Sequence, residues 1–516
     1  MPVRMEKDDP RPPKRNRRRQ EQRENTGSGL GRLLPFILMF VLKRPKLILP
    51  VLLIAGLWYF FFYDRGSSSI AYDDGQQTEF SFGATLSQEE YDKARVFPAL
   101  AAGAANRLPS SISLQQYAPR RRQQGRQGSC TGWASSYAGR TILEAMRTGK
   151  SPDQIAFSPS FVYNQIALRG CQGAYMRDAM ETLSQKGSLP LSLFPYNEND
   201  CSTQPDSRER SQAAQFRIKG YNRLTLDGDD YTPDILAIKE HLAQGAPVII
   251  GMQVGGTFMQ EMVGKKVWHP TRRDYSQYGF SGHAMCVIGY DDNLSGGAFQ
   301  IMNSWGPQWG QNGIAWIPYD AFQTFVKEAY GLYPMGQGPQ YDPNKLSVKF
   351  GLLLNENQQL IPLRKVGNNT FRTKYPVNPG DKFKIAITNS IECYIYIFGE
   401  ETDGSSYVLF PYTPKHDAYC GITGTRVFPR DYSLTPDNTG SRDRIAIVIS
   451  KKELNFEQLN NFINQSTAAS YGEKVQDVLR TLEIPNVRFE DGDAISFSTD
   501  TQGKELVSII IELDKN

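Results

Sequence analysis

The sequence predicts an α+β chain in which an N-terminal transmembrane helix precedes a mixed helix-and-strand unit and a C-terminal, mostly-β sandwich. Three observations carry this. Residues 47–63 form a 17-residue apolar run without a charge, at the short end of the roughly 17–25 residues that span a bilayer. The middle of the chain joins a Gly-rich loop and a helical stretch to later apolar strands. The last part alternates apolar and polar residues with period two, the mark of half-buried strands.

The elements follow in order. The 516 residues carry 58 Lys+Arg against 54 Asp+Glu, a formal +4. Residues 1–46 hold 13 Lys/Arg and 5 Asp/Glu, a net +8, and the remainder is net −4. That split excludes a uniformly basic nucleic-acid binder, and no nucleic acid is expected as a partner. Residues 1–32 are polar and include Lys14-Arg15-Asn16-Arg17-Arg18-Arg19; they read as disordered. Leu33–Leu42 is too short to span alone. The run 47–63 ends in Trp58-Tyr59-Phe60-Phe61-Phe62-Tyr63, an interfacial aromatic cluster, and the basic residues before it place 1–46 in the cytoplasm. The expected setting is therefore the cell inner membrane, crossed once, with the lipid bilayer as a partner and everything after residue 63 periplasmic or extracellular. A cleaved signal peptide fits less well, because the polar region before the run is too long. Residues 64–107 read as a stalk with one short helix, Ser87–Ala94. Residues 108–336 form a compact unit, 337–345 a Gly/Pro-rich linker, and 346–516 the β domain. Within the last, Phe383-Lys-Ile-Ala-Ile-Thr and Tyr394-Ile-Tyr-Ile-Phe alternate, and Asp403-Gly404 turns the chain into Tyr407–Phe410. One amphipathic helix, about 452–464, presents Leu454, Leu459, Phe462 and Ile463.

Three stretches in the middle unit carry chemistry. In Gln124-Gly-Arg-Gln-Gly128-Ser129-Cys130, a Gly-rich loop enters a helix with Cys130 in its first turn and Ser129 as a candidate N-cap. A thiol there feels the positive end of the helix dipole, which favours the thiolate, the species that attacks carbonyls. Gln124 can offer an amide N–H to a developing oxyanion. Ser281-Gly282-His283 opens an apolar strand. Asn303-Ser-Trp305-Gly-Pro-Gln-Trp309-Gly follows another. Each piece has an ordinary reading: a buried small hydrophobe, a core histidine, a turn. Together they hold a nucleophile, a base and a group to orient the base.

On these motifs the segment Leu108–Met335 resembles a papain-like cysteine peptidase, of the kind anchored in bacterial membranes. The resemblance implies a two-lobed fold, a helical lobe beside a β-barrel-like lobe, and a cysteine-type endopeptidase acting on peptide or protein substrates. It implies Cys130 as nucleophile, His283 as base and then acid, Asn303 holding the imidazole, and Gln124 with the Cys130 N–H as oxyanion hole. Trp305 would cover the Asn303–His283 bond, with Gly128, Ser129 and Gly282 on the substrate side. No cofactor is implied, and the four histidines (241, 269, 283, 416) show no metal-ligand spacing. The chain departs from the family pattern at Gln127, Thr131 and Ala174, and its stalk is shorter than the inhibitory pro-segments of secreted members. By the same resemblance Cys171 and Cys201 can form a disulfide. Cys393 and Cys420 are a second candidate pair, and Cys286 reads as a core thiol. The stretch Pro379–Pro411 resembles a bacterial accessory domain of unassigned function, which implies a recognition or assembly module with an envelope-protein partner. Two rival activities use the same residues: acyl transfer that cross-links proteins, and peptide binding by a catalytically idle scaffold.

Overall fold

The apolar runs of the middle unit and the period-two alternation of the last part become two separate β systems in the computed structural model, which describes residues 3–8, 80–101, 103, 107–336, 339–492 and 494–516. In the first system the order of strands is Tyr221–Arg223, Val326–Leu332, Val248–Val254, Ser281–Asp291, Ala298–Met302, Ile314–Pro318, with Ser111–Ser113 also on Ser281–Asp291. The neighbours Val248–Val254 and Ser281–Asp291 are antiparallel, with His283 opposite Met252. Both strands are buried almost throughout, as continuous apolar runs covered on both faces should be.

The helix entered at Cys130 packs against this sheet. It begins as α-helix over Cys130–Gly132, widens to π-helix over Trp133–Arg140 and returns to α over Thr141–Thr148, where Gly149 ends it in the left-handed region. Gly139 allows a close approach: a Cβ there would lie 2.8 Å from Ile249 Cδ1. Pro159–Ile166, capped by the Ser158 side chain, and Met176–Gln185 complete the helical side. The Cys171–Cys201 disulfide forms, with a sequence separation of 30. Closing a loop of that length constrains the unfolded chain, so replacing both cysteines by serine should lower unfolding stability by about 3–4 kcal/mol. Denaturant titration would check this.

The C-terminal domain is a sandwich. One sheet runs through Tyr432–Pro436, Phe383–Asn389, Lys345–Leu354 and Ile495–Asp500; the other runs through Thr370–Thr373, Leu506–Asp514, Arg442–Ser450, Cys393–Glu400 and Ser406–Phe410. Inward-facing Ile385, Ile387, Ile397, Ile447 and Ile509 fill the core between them. The alternate residues of the second sheet, Tyr396, Phe398, Ala446 and Val448, are covered by two helices. These are Phe456–Gln465 and Tyr471–Leu479. The first begins later than expected because Asn455 caps it; Leu459 and Ile463 are buried but Phe462 is exposed.

Several expectations need correction. Among the described residues no helix is long and apolar enough to cross a membrane, so the transmembrane helix of the expected fold class is not supported. The run 47–63 on which that expectation fell lies outside the described residues, as do Leu33–Leu42 and the basic run 14–19. Val3–Lys7, expected to be disordered, pairs antiparallel with Tyr432–Pro436. Asp8 there accepts from Lys384 Nζ and Ser433 Oγ, both at 2.6 Å. An edge strand with free backbone groups is a template for such addition, and the pairing places residues 3–8 on the β domain. Cys393 and Cys420 face each other across two strands yet are free and buried. Finally, Phe80–Ala101 is no spacer: Ala84, Tyr91, Ala94, Phe97 and Leu100 belong to the core around the first sheet.

Candidate active site

Cys130, His283, Asn303, Gln124 and Trp305 come together, each at most 3 % exposed. The loop Gln124–Ser129 is tied down by its backbone. Gln124 N–H donates to Ser304 O at 2.8 Å and Tyr196 Oη donates to Gln124 O at 2.6 Å. Ser129 occupies the N-cap position but caps nothing through its side chain; its hydroxyl meets Tyr196 Oη at 2.7 Å instead. Cys130 thus enters the helix from a fixed loop, and its Sγ accepts the Ala284 N–H at 3.4 Å, which sets the thiol beside the strand of His283.

The histidine tautomer follows from hydrogen bonding. Asn303 Oδ1 lies 2.7 Å from His283 Nε2 and accepts Ser304 N–H at 2.7 Å. A backbone N–H can only donate, so this atom is the oxygen, and His283 Nε2 must carry the proton. Nδ1 is then the basic nitrogen, and it is buried without a hydrogen-bond partner. Trp305 stacks on the imidazole at 4.3 Å between ring centroids. The Gln124 amide is oriented by Ser304 Oγ, which donates to Oε1 at 2.6 Å. Its Nε2 donates one hydrogen to Gln127 O at 2.9 Å, leaving the second for another acceptor.

A feature absent from the sequence reading dominates the site. Phe80–Leu86 lies across it as a strap. Phe80 stacks on Trp305 at 4.7 Å between ring centroids, as the His283 imidazole also does. Trp305 Nε1 donates to Ser81 O at 2.9 Å, and Phe82 meets the imidazole edge-on at 6.5 Å. Gly83 N–H donates to Gly282 O at 3.3 Å and Gly83 O accepts Ala174 N–H at 2.9 Å. Ala84–Thr85 then pairs parallel with Ala174–Tyr175. Gly83 passes so close that a Cβ would lie 2.0 Å from Gly128 O. Gly128 itself is pressed against Gly173, and Gly282 against Ala84 O. Leu86 packs against Gly251 and Gly282. A period-two signal was present in Phe80, Phe82, Ala84 and Leu86, hidden by its polar flanks.

The strap reverses the expected electrostatics. Burial pushes the Cys130 thiol up to about 12, against the backbone N–H of Ala284, Thr131, Cys130 and Ala84. Burial likewise pushes His283 down to about 4, with the Asn303 bond opposing. The helix dipole cannot offset the loss of water, so thiol and imidazole are both neutral here. The strap offers the sulfur the Ala84 N–H as a donor.

Where the strap leaves the site, Ser87 N–H donates to Glu328 Oε1 at 2.8 Å and Tyr330 Oη donates to Oε2 at 2.9 Å. Burial is the largest influence on Glu328 and raises it to about 7. Because the folded value exceeds the unfolded one, the stability it confers is full below the ordinary glutamate range and is lost as pH rises through about 7. Glu240, raised to about 8 by burial, acts with the same sign. Glu328→Gln should therefore flatten part of the fall in unfolding free energy between pH 5 and 8, by on the order of 3 kcal/mol. Chemical denaturation at several pH values checks this.

Residues 108–331 match the profile described as papain family cysteine protease, and residues 376–453 match a domain of unknown function, DUF4384. The chain therefore carries a papain-family cysteine protease domain followed by a DUF4384 domain. An uncharacterized peptidase C1-like protein of Acanthamoeba polyphaga mimivirus is 29% identical over 204 residues, 38% of this chain and 63% of that one. Mouse (Mus musculus) cathepsin K is 26% identical over 213 residues, 40% of this chain and 59% of its own. The chain thus spans about three-fifths of the length of these curated relatives. Among solved structures, xylellain, a cysteine protease from Xylella fastidiosa, aligns at 22% identity and a TM-score of 0.40, covering 51% of this chain and 98% of that one.

Proposed function

We propose that this chain hydrolyses peptide bonds through a Cys130 acyl-enzyme, and that the strapped form is its dormant state. The single observation that carries the reading is the His283 tautomer: Asn303 holds Nε2–H and leaves Nδ1, the proton acceptor a thiol needs, unpaired at the centre of the site.

With the strap displaced, water and substrate reach the pair, burial no longer penalises charge, and the helix N-terminus favours the thiolate. The Cys130 proton passes to His283 Nδ1 and Sγ attacks the substrate carbonyl carbon. The oxyanion takes the free hydrogen of Gln124 Nε2 and the Cys130 backbone N–H. Collapse of the intermediate breaks the C–N bond as His283 returns the proton to the leaving amine, and a thioester remains. Water, deprotonated by His283, then attacks the thioester, releasing the acid and restoring the thiol. Trp305 keeps water from the Asn303–His283 bond, which strengthens it. The Cys171–Cys201 disulfide supports work in an oxidising compartment outside the cytoplasm.

The test is hydrolysis of a panel of peptidyl amides. Cleavage that is lost in Cys130→Ala, with folding intact, supports the reading; cleavage that persists in that variant overturns it.

A further inference from the structure

The strap has two parts, and the second is held by a different body. Phe80–Leu86 lies in the site. Arg95–Ala101 runs between the protease domain and the C-terminal β domain and is bonded on both sides. Towards the protease, Phe97 N–H donates to Arg223 O at 3.0 Å and Arg223 N–H to Arg95 O at 2.8 Å; Leu100 N–H donates to Glu240 at 3.2 Å. Towards the β domain, Val96 N–H donates to Lys415 O at 2.7 Å, Val96 O accepts Asp417 N–H at 3.0 Å, and Ala101 N–H donates to Thr425 O at 2.7 Å. Val96 thus bridges both bodies.

Two arginines strengthen the grip. Arg426, 1% exposed, donates Nε to Pro98 O at 2.6 Å, while its other nitrogens are spent on Asn389 Oδ1 and Ile422 O of its own domain. Its planar head is therefore fixed by the β domain and aimed at the strap. Arg95, on the strap, pairs with Asp417 and Glu453 of the β domain. Between the two parts, Tyr91 Oη donates to Ala329 O and accepts Ala329 N–H, both at 2.9 Å, which seats the intervening helix on the protease sheet between Ser87 and Arg95.

We propose that the C-terminal β domain is the latch of the strap: its Lys415–Arg426 face holds Arg95–Ala101 in place and so keeps Phe80–Leu86 over Cys130. This rests on the proposed cysteine protease reading of the site. A tethered segment occupies its site according to its effective concentration there. Anchoring its far end raises that concentration, and loosening the anchor exposes the thiol for a larger fraction of the time.

The test uses the full chain and measures how fast a peptidyl epoxide alkylates Cys130. Arg426→Gln should speed labelling about tenfold, the worth of one charge-assisted hydrogen bond. Arg95→Glu, at a half-exposed position, should speed it through repulsion from Asp417 and Glu453, and adding Glu453→Arg should return it towards the parent rate. A merely unstable variant would not be rescued by that exchange. Gly83→Ala serves as reference, because it disturbs the strap inside the site. If Gly83→Ala labels quickly while Arg426→Gln and Arg95→Glu label at the parent rate, or if the exchange gives no protection, the latch is overturned and the active-site reading stands. If Gly83→Ala is not labelled either, the active-site reading falls and the latch with it.

Discussion

Cys130→Ala should lower peptide-bond hydrolysis by at least about 10³-fold when measured in a chain whose strap has been loosened. The effect is large because the thiol forms the bond that defines the pathway. No other described cysteine can replace it: Cys286, Cys393 and Cys420 are buried away from His283 or in the other domain, and Cys171 and Cys201 are bonded to each other. His283→Ala should cost a similar factor, and the double variant little more than either, since residues that act as one unit are not additive. Neither change should disturb folding much. Cys130 contributes a small side chain to a dense core, and an alanine there removes one sulfur. Steady-state rates on a peptidyl amide, beside a denaturation midpoint for each variant, separate loss of chemistry from loss of structure.

Gly83→Ala should raise the reactivity of the site ten- to a hundredfold, an order-of-magnitude range that corresponds to the roughly 1–3 kcal/mol cost of forcing extra volume into a packed contact. The added methyl would start 2.0 Å from Gly128 O and 2.7 Å from Gly128 Cα, and both belong to the fixed loop that delivers Cys130. The loop cannot yield easily, because Gly128 is itself confined by Gly173 N and Cys171 O. The strap must therefore lift, and with it the bonds of Gly83 to Gly282 and Ala174. Once it lifts, burial no longer holds Cys130 and His283 neutral, so the pH dependence should change as well as the rate. The parent chain should react appreciably only where the thiol ionises at high pH. The variant should react near neutrality, as a thiolate–imidazolium pair does. Alkylation rates across pH 5 to 10 test both statements.

The grouping of Cys130, His283 and Asn303 was legible because each residue is placed by local sequence. A thiol at the start of a helix, a histidine opening a strand and an asparagine after another are each set by a short stretch of chain, and their neighbours Ser304 and Trp305 lie in the same stretch. The β sandwich was legible from the alternation at Phe383–Asn389 and Cys393–Glu400, where one face meets a core. Other features depend on partners distant in sequence. Phe80–Leu86 reads as polar stalk until Trp305, Gly128 and Ala174 are placed around it. Ser129 has the chemistry of a cap, yet Tyr196 competes for its hydroxyl and wins. Cys393 and Cys420 are opposite in register without being bonded. The helix Tyr471–Leu479 was signalled by Ser470 and Glu473, which form a capping box, but its short apolar stripe gains meaning only against the outer face of the second sheet. The N-terminal strand Val3–Lys7 depends wholly on the open edge at Tyr432–Pro436, which no local pattern reveals.

The most direct measurement is identification, by peptide mass spectrometry, of the residue alkylated by a peptidyl epoxide, with its rate in the parent chain and in Gly83→Ala. A single adduct on Cys130, slow in the parent and at least about tenfold faster in the variant, is the predicted result. An adduct on Cys286, Cys393 or Cys420, or equal rates in the two chains, would contradict the account.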